Sequence, residues 1–347
     1  MSKQIECWFV GIDLHKDTLT ACLYCPMSGE IQYRKMACKC REQIAEFFRS
    51  LPRPHVVAIE TVGFYRWLWR LLEPIVEKLV LADATAARAL AGRRLKTDRE
   101  DAFNIADLLA SGRLPTAYAP PAEVQELRDW TRRRNRLSRQ HAGVLHWVKS
   151  LMNLNNRPGP KRLDSPGLIR YLKAQGEKLS ETHQQLLWDC VDQLSLIERQ
   201  IDVIERQLMR LLNSDRFRPA AEILGTFPGV GLVTTATVLA EVGDFNRFTY
   251  RKAIARYAGL NPTVYASGGK NRTGHIAKAG PPDLRWVLQQ AAWTAIRVEA
   301  NLKRMWLKIS RTAGKKAAAV AVARKMLTWM CCAVREGKPY ERRVETT

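Results

Sequence analysis

The sequence predicts an α/β domain at the N-terminus, a helical middle region and a mostly α-helical C-terminal region. Short alternating apolar runs separated by turn residues fill the first 82 residues. An apolar heptad pattern runs from Leu187 to Leu211, and the stretches at about 283–310 and 315–335 are basic, tryptophan-bearing helices. Since 347 residues suit two or three domains, we expect domains at 1–118, 119–215 and 216–347.

The first region is read as a sequence of eight elements in the order βββαβαβα. That order matches the ribonuclease-H-like layout, a mixed sheet flanked by helices, although other α/β folds share it. The predicted elements are strands at 7–14, 19–25 and 30–37, a helix at 42–51, a strand at 55–60, a tryptophan-rich helix at 64–73, a strand at 78–82 and a helix beginning near Asp98.

A proline-rich stretch, 115–121, ends this region, and a strongly basic helix at 127–148 follows it. Further on, apolar residues recur at alternating spacings of three and four, which forms a heptad seam. Antiparallel pairing of the seam with 127–148 and dimerisation are equally good explanations. The seam consists of Leu187, Cys190, Leu194, Ile197, Ile201, Ile204, Leu208 and Leu211.

The charge distribution indicates a polyanionic partner. The net charge is +22 with a pI near 10.0, and +15 of it falls on residues 216–347. Counterion release from phosphates drives the binding of such proteins to nucleic acids. Binding to a ribosome or to a membrane surface would also suit this charge. Neither explains the organised acidic residues described below. With neither an eighteen-residue apolar run nor a secretory signal pattern, we expect a cytoplasmic protein without a membrane partner.

Eight cysteines are expected to be reduced thiols, since no export signal is recognised. Cys22 and Cys25 with Cys38 and Cys40 offer a zinc spacing, but both pairs fall on predicted adjacent strands. Buried or strand-edge thiols are therefore the favoured interpretation.

Four carboxylates lie where a nucleic-acid-cleaving metal site requires them. Asp13 and Glu60 end apolar strands, while Asp98 and Asp101 share one face of the last helix of the domain. Hard cations such as Mg²⁺ prefer oxygen ligands and polarise a bound phosphate. Asp98 and Asp101 alone would be better explained as a helix cap and a first-turn charge. All four together predict a site for Mg²⁺ or Mn²⁺.

Two glycine-containing motifs mark the C-terminal region. Phe227-Pro-Gly-Val-Gly231 resembles a helix-hairpin-helix turn, in which Gly229 and Gly231 would let backbone N–H groups approach a DNA phosphate. A plain helix connector is the alternative. The second motif places Ser267 in a cationic loop that suits phosphate binding, although Ser-Gly-Gly is usually only a flexible turn. The cationic residues of this loop are Lys270, Arg272, His275 and Lys278.

Together these motifs resemble the DEDD transposases of bacterial insertion sequences, the family that includes Piv-type invertases and bridge-RNA-guided recombinases. The resemblance spans nearly the whole chain and rests on six motifs in order. They are Gly11-Ile-Asp-Leu-His-Lys16, Ala58-Ile-Glu-Thr61, Lys96-Thr-Asp-Arg-Glu-Asp-Ala102, Pro228-Gly-Val-Gly231, Tyr257-Ala-Gly-Leu260 and Ser267 to Gly280. Pro281 and Pro282 depart from the polar residues expected after the last motif.

The resemblance implies a RuvC-like metal site of Asp13, Glu60, Asp98 and Asp101, and a nucleophilic Ser267 that forms a serine–DNA phosphodiester. It also implies double-stranded DNA as donor and target, a structured guide RNA and association with the nucleoid. The Arg132-Arg133-Arg134 cluster is the expected contact for nucleic acid, and the heptad seam suggests a homo-oligomer. A RuvC-like structure-selective endonuclease without serine chemistry and a non-enzymatic architectural protein are the alternatives.

Overall fold

The computed structural model describes residues 7–91, 97–160, 164–175, 178–250, 252–267 and 270–341. The chain divides into two compact units, Met1–Ala119 and Pro120–Thr347. The helices of the predicted middle region thus lie in the same compact unit as the C-terminal residues.

The first unit is built on a five-stranded mixed sheet with the strand order β3-β2-β1-β4-β5. Strands β1 (Trp8–Leu14), β2 (Thr18–Cys25) and β3 (Glu30–Ala37) form an antiparallel meander. Strands β4 (His55–Glu60) and β5 (Lys78–Ala82) run parallel to β1. All five strands predicted from alternation are present, and the mixed sheet of the fold prediction is confirmed.

Helices cover the sheet of the first unit: α1 (Arg41–Arg49), α2 (Arg66–Leu72), α3 (Ala84–Ala91) and α4 (Asp98–Ala110). One sheet face packs its aliphatic side chains with Phe48 and Leu68 from α1 and α2. On the other face, α4 approaches so closely that a Cβ on Gly11 would lie 2.2 Å from the carbonyl oxygen of Ala102. The absence of a side chain at Gly11 therefore lets the middle of α4, around Ala102 and Ala106, lie against β1.

Two long antiparallel helices, α5 (Ala122–Leu154) and α7 (Glu181–Leu212), open the second unit, with α6 (Ser165–Gln175) between them. The heptad seam packs within the chain: Leu187 and Leu194 join a cluster with α5 and α6, and Ile204 and Leu208 join the main core of the unit. Of the two explanations of the seam, the structure therefore shows pairing with α5. Dimerisation through the seam is not supported, because its buried residues already have partners.

The rest of the second unit is helical apart from one β-hairpin. Its elements are α8 (Arg218–Gly225), α9 (Leu232–Val242), α10 (Ala253–Tyr257), β6 (Pro262–Ser267), β7 (Lys270–Ile276), α11 (Pro282–Val298), α12 (Ala300–Ala313) and α13 (Lys315–Glu336). The hairpin was not expected from the sequence. The predicted helix at 283–310 is two helices, because the extended backbone of Glu299 separates α11 from α12.

Helix α13 has the length and mean hydropathy of a membrane span, with 44% of the apolar window buried inside the structure. Its residues Val322, Met326 and Met330 belong to the core of the second unit. The packing of these side chains explains its apolar composition, as in the core helix of a water-soluble domain.

Candidate active site

Asp13 is the buried centre of the acidic group. It lies near the end of β1, next to the strands β2 and β4, and its side chain is only 4% exposed. Its Oδ2 atom lies 3.1 Å from His15 Nε2 without a hydrogen bond between them. No other described group donates to Oδ2, so a buried carboxylate oxygen lacks a hydrogen-bond partner. Such an atom is costly unless a cation or a proton satisfies it.

The first turn of α4 brings two further acids to Asp13. Thr97 caps this helix by accepting a hydrogen bond from the backbone N–H of Glu100 at 3.2 Å, which places Asp98 and Asp101 in the first turn. Asp98 lies 3.3 Å from His15 Nε2 and 2.9 Å from Lys35 Nζ. The capping explanation for Asp98 is wrong, because the cap is Thr97.

Glu60 completes the acidic group from the end of β4. It is buried, and Arg88 of α3 donates a hydrogen bond of 3.0 Å to its Oε1. Glu60, Arg88 and Asp101 line one small cavity together with Asn104. The structure therefore brings all four sequence-predicted acids to one region of the first unit.

The electrostatics of the group are most evident at Asp13. Burial raises the pKa of Asp13 to about 6, and the neighbouring carboxylates of Glu60, Asp101 and Asp98 raise it as well, while His15 opposes the shift. At Asp98 the effect is reversed, since the hydrogen bond from Lys35 lowers the pKa of that carboxyl. Burial and like charges thus disfavour the charged form of Asp13, whereas Lys35 stabilises the charged form of Asp98.

The donor set fits a divalent cation. Ligand atoms of Asp13, His15 and Asp98 all lie within 4.8 Å of one another. Carboxylate oxygens are the preferred ligands of Mg²⁺ and Mn²⁺, and a cation here would satisfy the orphaned Oδ2 of Asp13. Cys22 and Cys25 are buried free thiols, and Cys38 and Cys40 are half-buried free thiols.

Sequence reasoning missed His15, Lys35 and Arg88, the three basic side chains that contact these acids. His15 was visible as part of the Gly11–Lys16 motif, two residues after Asp13. Lys35 and Arg88 carried no signal, because strand pairing and α3 bring them to the acids over long stretches of chain.

The predicted nucleophile lies on the hairpin of the second unit. Ser267 ends β6 and pairs with Lys270 at the start of β7, and Arg272 follows on β7. Only the backbone is described for these three residues, and Gly268 and Gly269 lie outside the described residues. His275 and Lys278 are exposed near the base of the hairpin.

Close backbone packing anchors the base of this hairpin. A Cβ on Gly259 would lie 2.0 Å from the carbonyl oxygen of Ala279, and one on Gly280 would lie 1.8 Å from that of Tyr257. Arg285 donates to the carbonyl oxygens of Ala279 and Gly280 at 3.1 and 2.9 Å. Next in the chain, the two prolines that depart from the family pattern begin α11: Pro281 is its N-cap and Pro282 its first residue.

The arginine cluster is largely engaged inside the unit. Arg132 donates two hydrogen bonds, of 2.9 and 3.1 Å, to the buried carboxylate of Glu241. Arg134 pairs with Glu205 at 2.7 Å, while Arg133 is exposed. These contacts give Arg132 and Arg134 a structural role, and binding of nucleic acid by the cluster stays a prediction.

The predicted helix-hairpin-helix turn joins α8 to α9. Gly229 has φ +77°, and a Cβ there would lie 2.4 Å from the carbonyl oxygen of Ala291 in α11. Gly231 is the N-cap of α9, with no atom close to an added Cβ. Gly229 is therefore required for packing against α11, and a phosphate contact by either glycine stays a prediction.

A stronger cationic surface lies on α12 and the start of α13. No acidic residue occurs between Glu299 and Glu336. The cations Lys303, Arg304, Lys308, Arg311, Lys315 and Lys316 are all exposed. Unlike the Arg132–Arg134 cluster, this surface has its charge directed to solvent.

Two family models match the chain. The model of the IS110-type DEDD transposases, described as Transposase, matches residues 10–154, and the model described as Transposase IS116/IS110/IS902 family matches residues 221–307. The chain belongs to this family of DEDD transposases. Its first matched segment contains all four acids of the site, and its second contains Ser267 and the hairpin.

Similar curated proteins carry the same description. A "Probable family 20 transposase" of Pseudomonas aeruginosa is 27% identical over 84% of this chain and 85% of its own length. The "Transposase for insertion sequence element IS1533" of Leptospira borgpetersenii is 25% identical over 91% of this chain and 92% of its own. The "Pilin gene-inverting protein" of Moraxella bovis is 28% identical over 42% and 46%. This transposase is accordingly a DNA-binding enzyme of DNA transposition, in a family whose acidic motif indicates a divalent metal.

Proposed function

We propose that this transposase cleaves and exchanges DNA strands with a ribonuclease-H-like acidic site in its first unit and a nucleophilic serine in its second. The observation that carries the proposal is the buried Asp13, whose unpartnered Oδ2 lies among the carboxylates of Glu60, Asp98 and Asp101. A buried carboxylate oxygen that lacks a hydrogen-bond donor and has three further carboxylates nearby is unfavourable unless a cation binds it, which supports a metal-binding role over a purely structural one.

The four acids would hold Mg²⁺ or Mn²⁺. Asp13 Oδ2 would be one ligand atom, and the carboxylates of Glu60, Asp98 and Asp101 would supply the further negative charge that balances the cation. When bound, the metal supplies Lewis acidity at a phosphate oxygen. Arg88 and Lys35 hold Glu60 and Asp98 by ion pairs, and His15 Nε2 lies 3.1 Å from Asp13 Oδ2.

Ser267 is the proposed nucleophile. Its Oγ forms a bond to phosphorus as a deoxyribose oxygen leaves, and the reverse step rejoins a strand without ATP, because the phosphodiester is conserved. The cations of the loop, Lys270, Arg272, His275 and Lys278, stabilise the developing charge. Neither unit holds both sets of groups, so the proposed strand exchange requires residues of both units.

Donor and target DNA, a structured guide RNA and a homo-oligomer are the proposed partners, and the protein acts in the cytoplasm at the nucleoid. The net charge of +22 and the exposed cations of α12 and α13 support binding of phosphate backbones in general. An oligomer is proposed because recombination joins two DNA partners and one chain offers one Ser267.

Denaturing electrophoresis after incubation with labelled DNA of the element's ends tests the serine chemistry. We expect a covalent adduct with the wild type and with Ser28→Ala, a control serine in the β2–β3 turn, and none with Ser267→Ala. Asp101→Asn is expected to abolish strand cleavage. An adduct that survives Ser267→Ala would identify another nucleophile. Cleavage by the wild type without any adduct would favour the structure-selective endonuclease.

A further inference from the structure

A groove runs along the acidic site between β3 and the first turn of α4, entirely within the first unit. Its volume is about 480 Å³, and its walls are Thr20, Tyr33, Lys35, Thr97, Asp98 and Arg99. The groove thus shares Asp98 with the proposed metal site, and any group bound in it lies next to that site.

The groove has an aromatic wall. Tyr33 is 40% exposed although it lies in a β-strand at the sheet edge. Its phenol contacts Cys22 on the neighbouring strand, and burial raises the pKa of Tyr33. The Arg99 guanidinium lies 5.6 Å over the ring. Ring and guanidinium together offer the planar surfaces on which unpaired nucleobases stack.

The groove also has a cationic wall. Lys35 is 59% exposed and pairs with Asp98 at 2.9 Å, and Arg99 is exposed on the first turn of α4. The Lys35 ammonium carries three N–H donors, and Asp98 Oδ2 accepts one of them, so the ammonium can bind a phosphate while the ion pair remains.

We propose that this groove holds the unpaired nucleotide that adjoins the scissile phosphate. Its base stacks on Tyr33 and its phosphate binds Lys35 and Arg99. The inference rests on the proposed cleavage at the acidic site. It adds a substrate-binding role for three residues outside the four acids, and it requires the strand to be unpaired there, because a stacked base pair cannot lie on the ring.

Binding in EDTA tests the groove without any cleavage. The probe is a single-stranded DNA oligonucleotide with one 2-aminopurine, whose fluorescence falls on stacking, added to the full-length protein. We expect Tyr33→Ala to weaken binding about tenfold and to abolish the quenching, within the range of base–aromatic stacking. Tyr33→Phe keeps the ring and is expected to retain both.

Lys35→Gln and Arg34→Gln form a matched pair. Both remove one positive charge from β3, but alternate residues of a strand face opposite sides of the sheet, so Arg34 lies away from the groove. We expect only Lys35→Gln to reduce the slope of log affinity against log salt, by about one. Equal effects of the two variants would show a general charge effect and overturn the phosphate contact.

Quenching of 2-aminopurine that survives Tyr33→Ala overturns the stacking role.

An RNA oligonucleotide of the same sequence forms the second arm of the experiment, since the base and the phosphate are common to DNA and RNA. Equal binding of DNA and RNA is expected, whereas a response to RNA alone overturns the position beside a DNA cleavage site. Because the acids are unchanged here, failure of Asp101→Asn to abolish cleavage would refute the proposed function separately.

Discussion

Replacing Asp13 by Asn is expected to stabilise the metal-free protein. The pKa of Asp13 rises from 3.8 to about 6 on folding, because the side chain is buried and three acids surround it. The difference of about two pKa units corresponds to about 3 kcal/mol of destabilisation of the charged form. Asn has nearly the same shape and no charge, so it removes this cost.

The sign of the pH dependence follows from the raised pKa. Below the unfolded pKa of about 4 both states are protonated and the carboxyl costs nothing. The cost grows as the pH rises and is complete above the folded pKa of about 6. Asp13→Asn should therefore increase the free energy of unfolding of the first unit by about 3 kcal/mol at pH 8 and by about half as much at pH 5.

A divalent metal should offset the higher stability of the Asp13→Asn variant. A ligand at one hundred times its dissociation constant stabilises the protein that binds it by about 2.7 kcal/mol. In saturating Mg²⁺ or Mn²⁺ we therefore expect the wild type to reach the stability of Asp13→Asn, since the variant has lost the central ligand. Stabilisation of both proteins by metal to the same extent would place the metal elsewhere.

Hydrogen exchange of peptides from β1 and α4, followed by mass spectrometry in EDTA and in metal, measures these differences within the first unit. It is preferable to a global melting curve because the two units need not unfold together. Asp17→Asn, an exposed acid in the β1–β2 turn, is the control and should change little. Destabilisation of Asp13→Asn in EDTA at pH 8 would refute the repulsion argument.

Three further predictions concern positions where packing supports the sites. Gly11→Ala should destabilise the first unit by about 1–3 kcal/mol and abolish strand cleavage, because its Cβ would press on the backbone of α4. Gly63→Ala is the control, because an added Cβ there meets open space, and it should alter neither hydrogen exchange nor cleavage. Glu241→Ala should cost about 3 kcal/mol by hydrogen exchange of α5 and α9, since it leaves Arg128, whose side chain is 12% exposed, without its buried carboxylate partner; an equal loss with the exposed Arg133→Ala would refute this. Gly280 has φ +85°, and a Cβ there would meet the carbonyl oxygen of Tyr257, so Gly280→Ala should displace the hairpin and reduce the serine adduct. DNA binding in a gel-shift assay should persist, and an undiminished adduct would contradict the need for this anchor.

Periodicity was sufficient to find the sheet and the long helices. The alternation in 7–37 and the apolar runs at 55–60 and 78–82 correspond to the five strands, because a half-buried sheet imposes a period of two. The helix at α3 was missed, since Ala84–Ala91 is an alanine-rich stretch with little apolar patterning. The β6–β7 hairpin was missed because its strands are short, polar and glycine-flanked.

The acids of the site were predictable because strand ends and a helix face determine their positions. Their cationic partners were not, because ion pairs between distant elements leave no pattern in one sequence. The ion pairs of the arginine cluster were equally invisible: three adjacent arginines suggest a nucleic-acid surface, and no pattern indicated that Arg132 and Arg134 also pair with Glu241 and Glu205. Local charge density alone does not distinguish a binding surface from an internal ion pair.

The pairing of acids and cations explains how the first unit maintains its site before metal and DNA bind. Glu60 pairs with Arg88, and Asp98 contacts both His15 and Lys35, so basic side chains hold these two carboxylates in position. Asp13 has only the neighbouring His15 and an unpartnered Oδ2, so at pH values near its raised pKa of about 6 it holds a proton part of the time. Metal binding must displace that proton, and its affinity should therefore increase with pH through this range. Asp13 is thus the acid whose negative charge a bound metal would compensate, whereas Glu60 and Asp98 already pair with the protein's own basic side chains.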